Sequence, residues 1–504
     1  MQRKHFKPPL AILLSLFLVL SQLPGIVFAT ESDVVNLTII HVNDRHGRMG
    51  ADAYISQLAK GITGNILILD AGDTLHGQTA TNLSKGEAMV EVMNAVGYSA
   101  MVPGNHDFNF GVVRLIELSE MMNFPLLAAN IKTTDSKKLF KPYEIFKLDG
   151  ITVGIFGLAT PVTVTATAPR NIAGLTFEDP AKTAAAMVAT LKAKGCDIII
   201  ALVHMGMNEL SDSVHRSNIL AKILGIDVII DGHCHTALKS GLFDGDTLIA
   251  QAGEHGRYIG IVEITMTGEN VTKTARLLAV NEELTADEDI VSIIDNKKKK
   301  FEYITNVVVG NTPVKLDGRR ELVRTSETNL ANIISDSVRH ATASDIAFIN
   351  GGSIRESIKV GDITMGQILT VLPFSNLIVT VELTGDEIIN ALEHGVSLYP
   401  QETGQHIQVS GISFLFDPEA EPGTRVVGVK LEDGSALGID KTYTVATIDF
   451  MVAGGAGYDM LKNGRNLVYY GGDAEVLADY LVTNPIINAE PEGRVTTVNN
   501  LRMP

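Results

Sequence analysis

The chain has 504 residues, of which 45% are hydrophobic and 20% charged, and a formal net charge of −17. This length is more than one ordinary hydrophobic core holds, so we expect two globular domains. The acidic balance offers no basic footprint for a nucleic-acid polymer, which is therefore excluded as a partner. The two cysteines, Cys196 and Cys234, do not make a disulfide framework.

The N-terminus has the pattern of an export signal. Three basic residues precede an uncharged run from Pro8 to Ala29, and its apolar part, Leu10–Leu20, is about half a membrane-spanning length. We predict a cleaved signal peptide over residues 1–29 and a periplasmic, cell-wall-associated or extracellular protein. An uncleaved anchor is disfavoured because Pro24 and Gly25 interrupt the run. No integral membrane segment is expected after cleavage, and the oligomeric state stays open.

Strand-like and helix-like segments alternate over residues 33–285, which predicts a mixed α/β domain with its chemistry at strand ends. The predicted strands are Leu37–Asn43, Ile66–Ala71, Tyr98–Pro103, Phe124–Asn130, Ile151–Leu158, Asp197–His204, Asp227–Asp231 and Thr247–Gln251. Predicted helices include Glu87–Val96 and Pro180–Lys194.

A linker helix is predicted over residues 286–306, opened by a capping box at Thr285–Glu288. A second α/β domain is predicted over 307–499. Its predicted helices are Thr328–His340, Thr364–Leu372 and Asp473–Val482, with a further helix capped at Thr384, and its strands are Asp345–Asn350, Leu377–Leu383, Val409–Phe416, Val426–Leu431 and Tyr443–Ile448.

Five polar stretches each follow an apolar strand of the first domain. They are Asn43-Asp44-Arg45-His46-Gly47, Gly72-Asp73, Gly104-Asn105-His106-Asp107, His204-Met205-Gly206 and Gly232-His233-Cys234-His235. Each alone is a plain polar turn or a buried histidine, but together they predict a metal site. Carboxylate, amide and imidazole suit a borderline transition ion, and one carboxylate such as Asp73 could bridge two ions about 3.5–4 Å apart. Arg45, Asp107 and Cys234 are expected to be neighbours of the site and not ligands.

These stretches resemble the motifs of the secreted 5′-nucleotidases and of their UDP-sugar hydrolase and 2′,3′-cyclic-nucleotide phosphodiesterase relatives. The resemblance implies a four-layer α/β/β/α calcineurin-like metallophosphoesterase domain, followed by a smaller α/β 5′-nucleotidase C-terminal domain. It implies two divalent ions (Mn, Zn, Co or Fe), the first held by Asp44, His46, Asp73 and His235 and the second by Asp73, Asn105, His204 and His233. His106 would face the transferred phosphate as a stabiliser or acid.

The second half offers candidate substrate contacts. Glycines in Asn350-Gly351-Gly352-Ser353-Ile354-Arg355 let backbone approach a ligand, and Arg355 can fork onto a phosphate. By the resemblance, Arg324 and Arg355 bind phosphate, Asn350 touches the nucleoside, and Phe374 and Tyr458 sandwich the base. The sequence departs from the family at Ser326, where an arginine is common, and at Ala456, where aspartate is usual.

The predicted function is release of phosphate from nucleoside 5′-monophosphates by attack of a metal-bound water. Asn109 stands three residues after His106, where 5′-nucleotidases commonly have aspartate, so we expect a more often neutral His106. Taken alone, this position favours a 2′,3′-cyclic-nucleotide phosphodiesterase with 3′-nucleotidase activity. Two further functions stay open, that of a UDP-sugar hydrolase and, outside enzymes, that of a two-lobed exported nucleotide receptor.

The second domain is expected to close on the first across Phe301–Pro313.

Overall fold

A computed structural model describes residues 34–498, apart from 168, 208–215, 269 and 282. The predicted signal peptide over 1–29 lies outside the described residues. Within the described part of the chain, each helix is too short or too polar to cross a bilayer.

In chain order the strands of the first domain are β1 (Val34–Val42), β2 (Asn65–Asp70), β3 (Ala100–Met101), β4 (Ile131–Thr133), β5 (Tyr143–Leu148), β6 (Ile151–Ala159), β7 (Leu175–Phe177), β8 (Ile198–His204), β9 (Val228–Ile230), β10 (Leu242–Asp244), β11 (Thr247–Ala250), β12 (Tyr258–Thr267) and β13 (Asn270–Ala279). They form two large sheets, of strand order β13-β12-β1-β2-β3 and β10-β11-β9-β8-β6-β5, and a small β4-β7 pair. The helices span Gly50–Gly61, Thr79–Leu83, Glu87–Val96, Val112–Met121, Thr163–Ala166, Pro180–Ala193 and Ser217–Leu220.

The two large sheets pack face to face because their central strands are apolar on both sides. In β8, Ile200 and Leu202 pack between the sheets, whereas Ile199 and Val203 face the core formed with the helix Pro180–Ala193. The outer face of the first sheet packs on helices that include Gly50–Gly61 and Glu87–Val96. The layers run helix, sheet, sheet, helix, which confirms the expected α/β/β/α architecture.

The predicted strand Phe124–Asn130 is instead an irregular buried segment. It makes single bridges through Leu126 and Leu127 to two different neighbours, Met101 and Lys141. Pro125 has no N–H to donate, and a segment that changes partner after one residue cannot build a ladder.

The linker also differs in detail from its prediction. It forms two helices, Glu288–Lys299 and Glu302–Thr305, in place of one. The side chain of Asp287, and not that of Thr285, accepts the capping hydrogen bond from the Asp289 N–H.

The strands of the second domain are β14 (Val308–Thr312), β15 (Ile346–Asn350), β16 (Gly361–Thr364), β17 (Leu377–Thr384), β18 (Ile407–Ser410), β19 (Ile412–Phe416), β20 (Val426–Leu431), β21 (Thr442–Ile448), β22 (Arg465–Gly472) and β23 (Val495–Thr497). They form a five-stranded sheet of order β18-β15-β21-β17-β22, a β20-β19-β23 sheet and a β14-β16 pair. The helices span Arg320–Val323, Asn329–Thr342, Met365–Val371, Gly385–Val396, Asp449–Val452 and Asp473–Thr483. The run Val409–Phe416, predicted as one strand, is divided between β18 and β19 at Gly411, whose φ is +77°.

The two domains meet at the end of the first domain that carries the polar strand ends. The backbone oxygen of Pro373 lies 2.8 Å from His76 Nε2, and Thr79 Oγ1 lies 3.0 Å from Thr370 Oγ1. An ion pair between Arg170 and Asp449 joins the domains at another point. The fold therefore leaves a cleft between the polar strand ends of the first domain and the loops of the second.

Candidate active site

The polar stretches of the first domain converge because they leave neighbouring parallel strands at the same edge. Strands β1, β2 and β3 are parallel, as are β8 and β9 in the facing sheet. Glycines make the close approach possible. A Cβ on Gly104 would lie 2.2 Å from Asp73 Oδ1, and one on Gly232 would lie 2.7 Å from the Ala71 oxygen.

Most of the predicted ligands are held in a left-handed backbone conformation. Non-glycine residues adopt it uncommonly, and it concentrates at functional sites. The φ values lie between +47° and +80° for Asp44, His46, Asp73, His233 and His235. The chain turns sharply at each strand end, which aims these side chains back into the cleft.

Asp44, His46 and His235 form one group of potential ligands, whose atoms lie within 4.8 Å of one another. His46 Nε2 lies 3.3 Å from His235 Nε2, which lies 3.5 Å from Asp44 Oδ1. His235 Nδ1 donates to Glu254 Oε2 at 2.5 Å. This bond places the proton of a neutral ring on Nδ1 and leaves the Nε2 lone pair for a metal, an orientation typical of metal-bound histidines.

Asp44, Asp73 and His204 form a second group. His204 Nδ1 donates to the Ala71 oxygen at 2.6 Å, so in a neutral ring Nε2 bears a lone pair. That buried Nε2 lies 3.3 Å from Asp73 Oδ2 and has no hydrogen-bond partner among the described residues. Burial lowers the pKa of His204, but the charges of Asp73 and Asp44 outweigh it and raise the pKa to about 10. The two carboxylates thus favour a positive charge at this nitrogen, supplied either by a proton or by a metal ion.

The remaining predicted ligands lie beside the second group. His233 Nδ1 is 3.1 Å from Asn105 Oδ1, and the rings of His204 and His233 are 5.2 Å apart. Burial first, and then the neighbouring His204, lower the pKa of His233 to about 3, so the ring is neutral near pH 7. Without a metal, His233 Nδ1–H can donate to the Asn105 amide oxygen, and a cation between these two atoms would take the place of that proton. The donor set of imidazole, carboxylate and amide fits a borderline divalent metal.

Arg45, Asp107 and Cys234 lie where neighbours of the site are expected. Arg45 is fully buried and pairs with Asp52 at 2.5 Å and Asp70 at 2.9 Å. Asp107 accepts from backbone N–H groups that include those of Asp73 and Gly104, each at 2.8 Å, and so holds these two strand-end loops together. The Cys234 thiol contacts Thr236 and Gln251.

His106 faces the cleft from a short 3₁₀ turn, His106–Phe108. Its backbone N–H donates to Asp73 Oδ1 at 2.7 Å, and its Nδ1 lies 3.1 Å from the amide nitrogen of Asn109. Because an amide N–H₂ donates, Asn109 donates to His106 Nδ1 here. Burial lowers the pKa of His106 well below its usual range.

A cavity of about 450 Å³ joins these residues to the second domain. Its lining includes Asp73, Asn105, His106, Asn109, His233 and His235 from the first domain and Arg320, Arg324, Asn350, Arg355, Phe374 and Phe450 from the second. The Arg324 Nε is buried without a hydrogen-bond partner among the described residues. Burial, and then the nearby Arg320 and Arg355, lower the pKa of Arg324 well below its usual range. An anion in the cavity would relieve this electrostatic penalty.

Two of the predicted nucleoside contacts are placed differently from the expectation. Tyr458 is not brought to the cavity: its ring is 0% exposed and its hydroxyl donates to the Gln405 oxygen at 2.5 Å. Ala456, with φ +53°, and Gly457, with φ +82°, turn the chain so that Tyr458 points inward. Asn350 lines the cavity, but its amide already bonds Ser353 and the Gly404 oxygen.

Phe374 lines the cavity and contacts the catalytic candidate directly. Its ring centre lies 5.4 Å from that of His106, and the Arg355 guanidinium lies 5.5 Å from the ring centre. The second aromatic ring of the cavity, which the sequence assigned to Tyr458, is supplied by Phe450.

Sequence reasoning missed His76, Glu254, Arg320 and Phe450. Arg320 has a local signal, since it lies four residues before Arg324 and so on the same side of a helical turn. The other three have none, because their roles depend on segments far away in the chain.

Comparisons with known proteins agree with this geometry. Residues 37–237 match the model of the calcineurin-like phosphoesterases, and residues 308–463 match that of the 5′-nucleotidase C-terminal domain. A 5′-nucleotidase of Vibrio cholerae is 32% identical over 91% of this chain and 93% of its own length. The chain belongs to the 5′-nucleotidase family.

Further members of the 5′-nucleotidase family are also similar. The structure of a 5′-nucleotidase precursor from Thermus thermophilus superimposes with a TM-score of 0.81 at 31% identity, covering 92% of this chain and 99% of that one. The trifunctional nucleotide phosphoesterase protein YfkN of Bacillus subtilis is 33% identical over 92% of this chain, which spans only 35% of the length of YfkN. As a family member the protein is a hydrolytic phosphoesterase of a class that uses divalent metals.

Proposed function

We propose that this protein is an exported, metal-dependent hydrolase that releases phosphate from nucleoside 5′-monophosphates. One observation carries the proposal: four of the potential metal ligands (Asp73, Asn105, His233 and His235) and His106 share a single cavity with Arg324 and Arg355 of the second domain. A phosphate in that cavity would face the metal ligands on one side and guanidinium groups on the other. The names of the Vibrio and Thermus relatives support this substrate class.

The predicted ligand sets are part of the proposal, with Asp44, His46, Asp73 and His235 holding one ion and Asp73, Asn105, His204 and His233 the other. When bound, divalent ions there would lower the pKa of a coordinated water toward neutrality and polarise the phosphoryl oxygens.

The chain's own residues orient and neutralise the substrate. The planar guanidinium of Arg355 can bind phosphate oxygens in pairs, and the buried Arg324 adds charge in a site with little water to screen it. His106 donates a hydrogen bond from Nε2 toward the reacting phosphate. Phe450, together with Phe374, offers apolar ring surface for the base.

Export and the domain limits belong to the same proposal. The signal-like pattern over 1–29 supports export, and the Thermus relative is described as a precursor. The domain limits 33–285, 286–306 and 307–499 are supported by family matches that fall within the two outer segments.

A second candidate is hydrolysis of 2′,3′-cyclic nucleotides, and Asn109 is the observation that favours it. An amide nitrogen at His106 Nδ1 keeps that ring neutral, and a neutral ring is a poor acid. Cyclic diesters need less help from an acid than 5′-monoesters do. The description of YfkN as trifunctional is compatible with more than one substrate.

The proposal is tested with the chain from residue 30 onward, loaded with Mn²⁺ or Zn²⁺ and incubated with AMP. We expect release of inorganic phosphate that stops on chelation and returns with metal. Saturable binding of AMP without phosphate release would identify a receptor and contradict the proposal. Release from 2′,3′-cyclic AMP but not from AMP would favour the second candidate.

A further inference from the structure

His76 is a buried histidine that no motif accounts for. It lies in the first domain, is 2% exposed, and has its Nε2 2.8 Å from the backbone oxygen of Pro373 in the second domain. A carbonyl oxygen only accepts, so Nε2 carries the hydrogen. Burial lowers the pKa of His76 to about 4, so the ring is neutral near pH 7 and its Nδ1 is a bare lone pair.

The amide nitrogen of Asn109 lies between two imidazole nitrogens. Asn109 Nδ2 is 3.2 Å from His76 Nδ1 and 3.1 Å from His106 Nδ1. The group has two hydrogens and can donate one to each ring. If the Asn109 amide were reversed, its oxygen would face the Nδ1 lone pair of His76. Donation from Asn109 to His76 therefore also makes Asn109 the donor toward His106.

The hydrogen bond from Asn109 determines which nitrogen of His106 carries the ring proton. If Asn109 donates to His106 Nδ1, the single ring proton of neutral His106 resides on Nε2. That nitrogen is then a donor at all times, and no proton has to leave or enter the ring for it to hydrogen-bond a phosphate oxygen.

We propose that His76 is a positioning residue that bonds the Pro373 carbonyl of the second domain and, through Asn109, fixes His106 as the Nε2–H tautomer. Ring stacking supports the same coupling, because the His76 ring is nearly parallel to the rings of His106, 6.4 Å away, and Phe374, 5.3 Å away, and Phe374 also stacks on His106 at 5.4 Å. When the second domain contacts His76 through Pro373, His106 Nε2–H is therefore already in place as the hydrogen-bond donor. The inference deepens the proposed function and rests on it for the role of His106.

Three variants test separately the ring of His76, its Nδ1 acceptor and its Nε2 donor. His76→Phe keeps a stacked ring and removes both nitrogens. His76→Asn places an acceptor near the position of Nδ1, facing Asn109, but cannot reach Pro373. His76→Gln places a donor near the position of Nε2, facing Pro373, but leaves nothing for Asn109.

The first readout is the ¹⁵N spectrum of ring-labelled histidine, with the His106 signals assigned through His106→Gln. We expect an unprotonated Nδ1 and a protonated Nε2 for His106 in the wild-type protein and in His76→Asn, and a mixture of tautomers in His76→Phe and His76→Gln. This measurement needs no turnover, so it stands whether or not AMP is the substrate.

The second readout is hydrolysis of AMP. Loss of one net hydrogen bond predicts a fall in kcat of roughly three- to tenfold in His76→Phe, with KM little changed and partial rescue in His76→Asn. An unchanged tautomer in His76→Phe overturns the proposal, even if kcat falls. Rescue of both readouts by His76→Gln and not by His76→Asn also overturns it and would make His76 a domain contact alone. A wild-type protein that shows the tautomer but does not hydrolyse AMP contradicts the proposed function and leaves the positioning role standing.

Discussion

At the scale of single residues, the site depends on lone pairs that face one another. His204 Nε2 faces Asp73 Oδ2 at 3.3 Å, while the other nitrogen of that ring is committed to a backbone oxygen. Such an arrangement is repulsive unless a proton or a metal ion lies between the two atoms. Asp73 also accepts from the His106 N–H, so it connects the metal ligands to the catalytic candidate.

Asp73→Asn tests whether this carboxylate bridges two ions. We expect turnover to fall by roughly a hundredfold or more, since even outer partners of metal ligands are worth 10- to 100-fold. Metal analysis should show loss of at least one bound equivalent. Asp149→Asn, in an exposed turn, is the matched control. Full metal content with wild-type activity would rule the bridge out.

Asn109→Asp tests the position at which this chain has asparagine and 5′-nucleotidases commonly have aspartate. A carboxylate would accept from His106 Nδ1–H and favour the charged ring, which should raise activity on AMP relative to 2′,3′-cyclic AMP and shift the pH profile. The bare Nδ1 of His76 opposes a carboxylate, so we expect a larger gain when His76→Gln accompanies the change. If AMP, the cyclic ester and a nitrophenyl phosphodiester change by one common factor with no pH shift, Asn109 is a packing residue.

At the scale of elements, strand ends determine the site, and this part was predictable. Apolar runs followed by Asp, Asn or His are local signals, and parallel strands bring their ends together. The orientation of a loop side chain is not determined by the local sequence. Tyr458 turns inward because Ala456 and Gly457 take positive φ. The role of His76 depends on its contact with Pro373 of the other domain.

Phe450→Ala tests which ring meets the base. Stacking is worth roughly 1–3 kcal/mol per base in single-strand binders, so KM for AMP should rise while hydrolysis of a small base-free phosphoester stays nearly unchanged. Tyr458→Phe is the control, because Tyr458 does not line the cavity and loses only the hydroxyl that bonds the Gln405 backbone oxygen. Equal losses on both substrates after Phe450→Ala would show that Phe450 only supports the fold.

At the scale of the whole molecule, catalysis and substrate binding are divided between two domains. The cavity uses residues from both, and contacts such as Thr79 Oγ1 to Thr370 Oγ1 at 3.0 Å join the two domains. Because the two domains share one cavity, we expect them to move relative to each other across Phe301–Pro313 in each turnover.

A disulfide between Thr79→Cys and Thr370→Cys would hold the domains together. We expect the oxidised protein to keep its metal but lose most of its kcat, and reduction to restore it. The single Thr79→Cys protein controls for loss of the hydroxyl. An unchanged kcat in the oxidised form would contradict domain motion as a step of turnover.

In the proposed reaction, water attacks the phosphorus of a nucleoside 5′-monophosphate held between the metal ligands and Arg324 and Arg355. Hydrolysis of AMP in ¹⁸O-labelled water, followed by mass spectrometry of both products, measures this directly. We expect labelled oxygen in the phosphate and none in the adenosine. Label in the adenosine, or no phosphate from the metal-loaded protein, would contradict it.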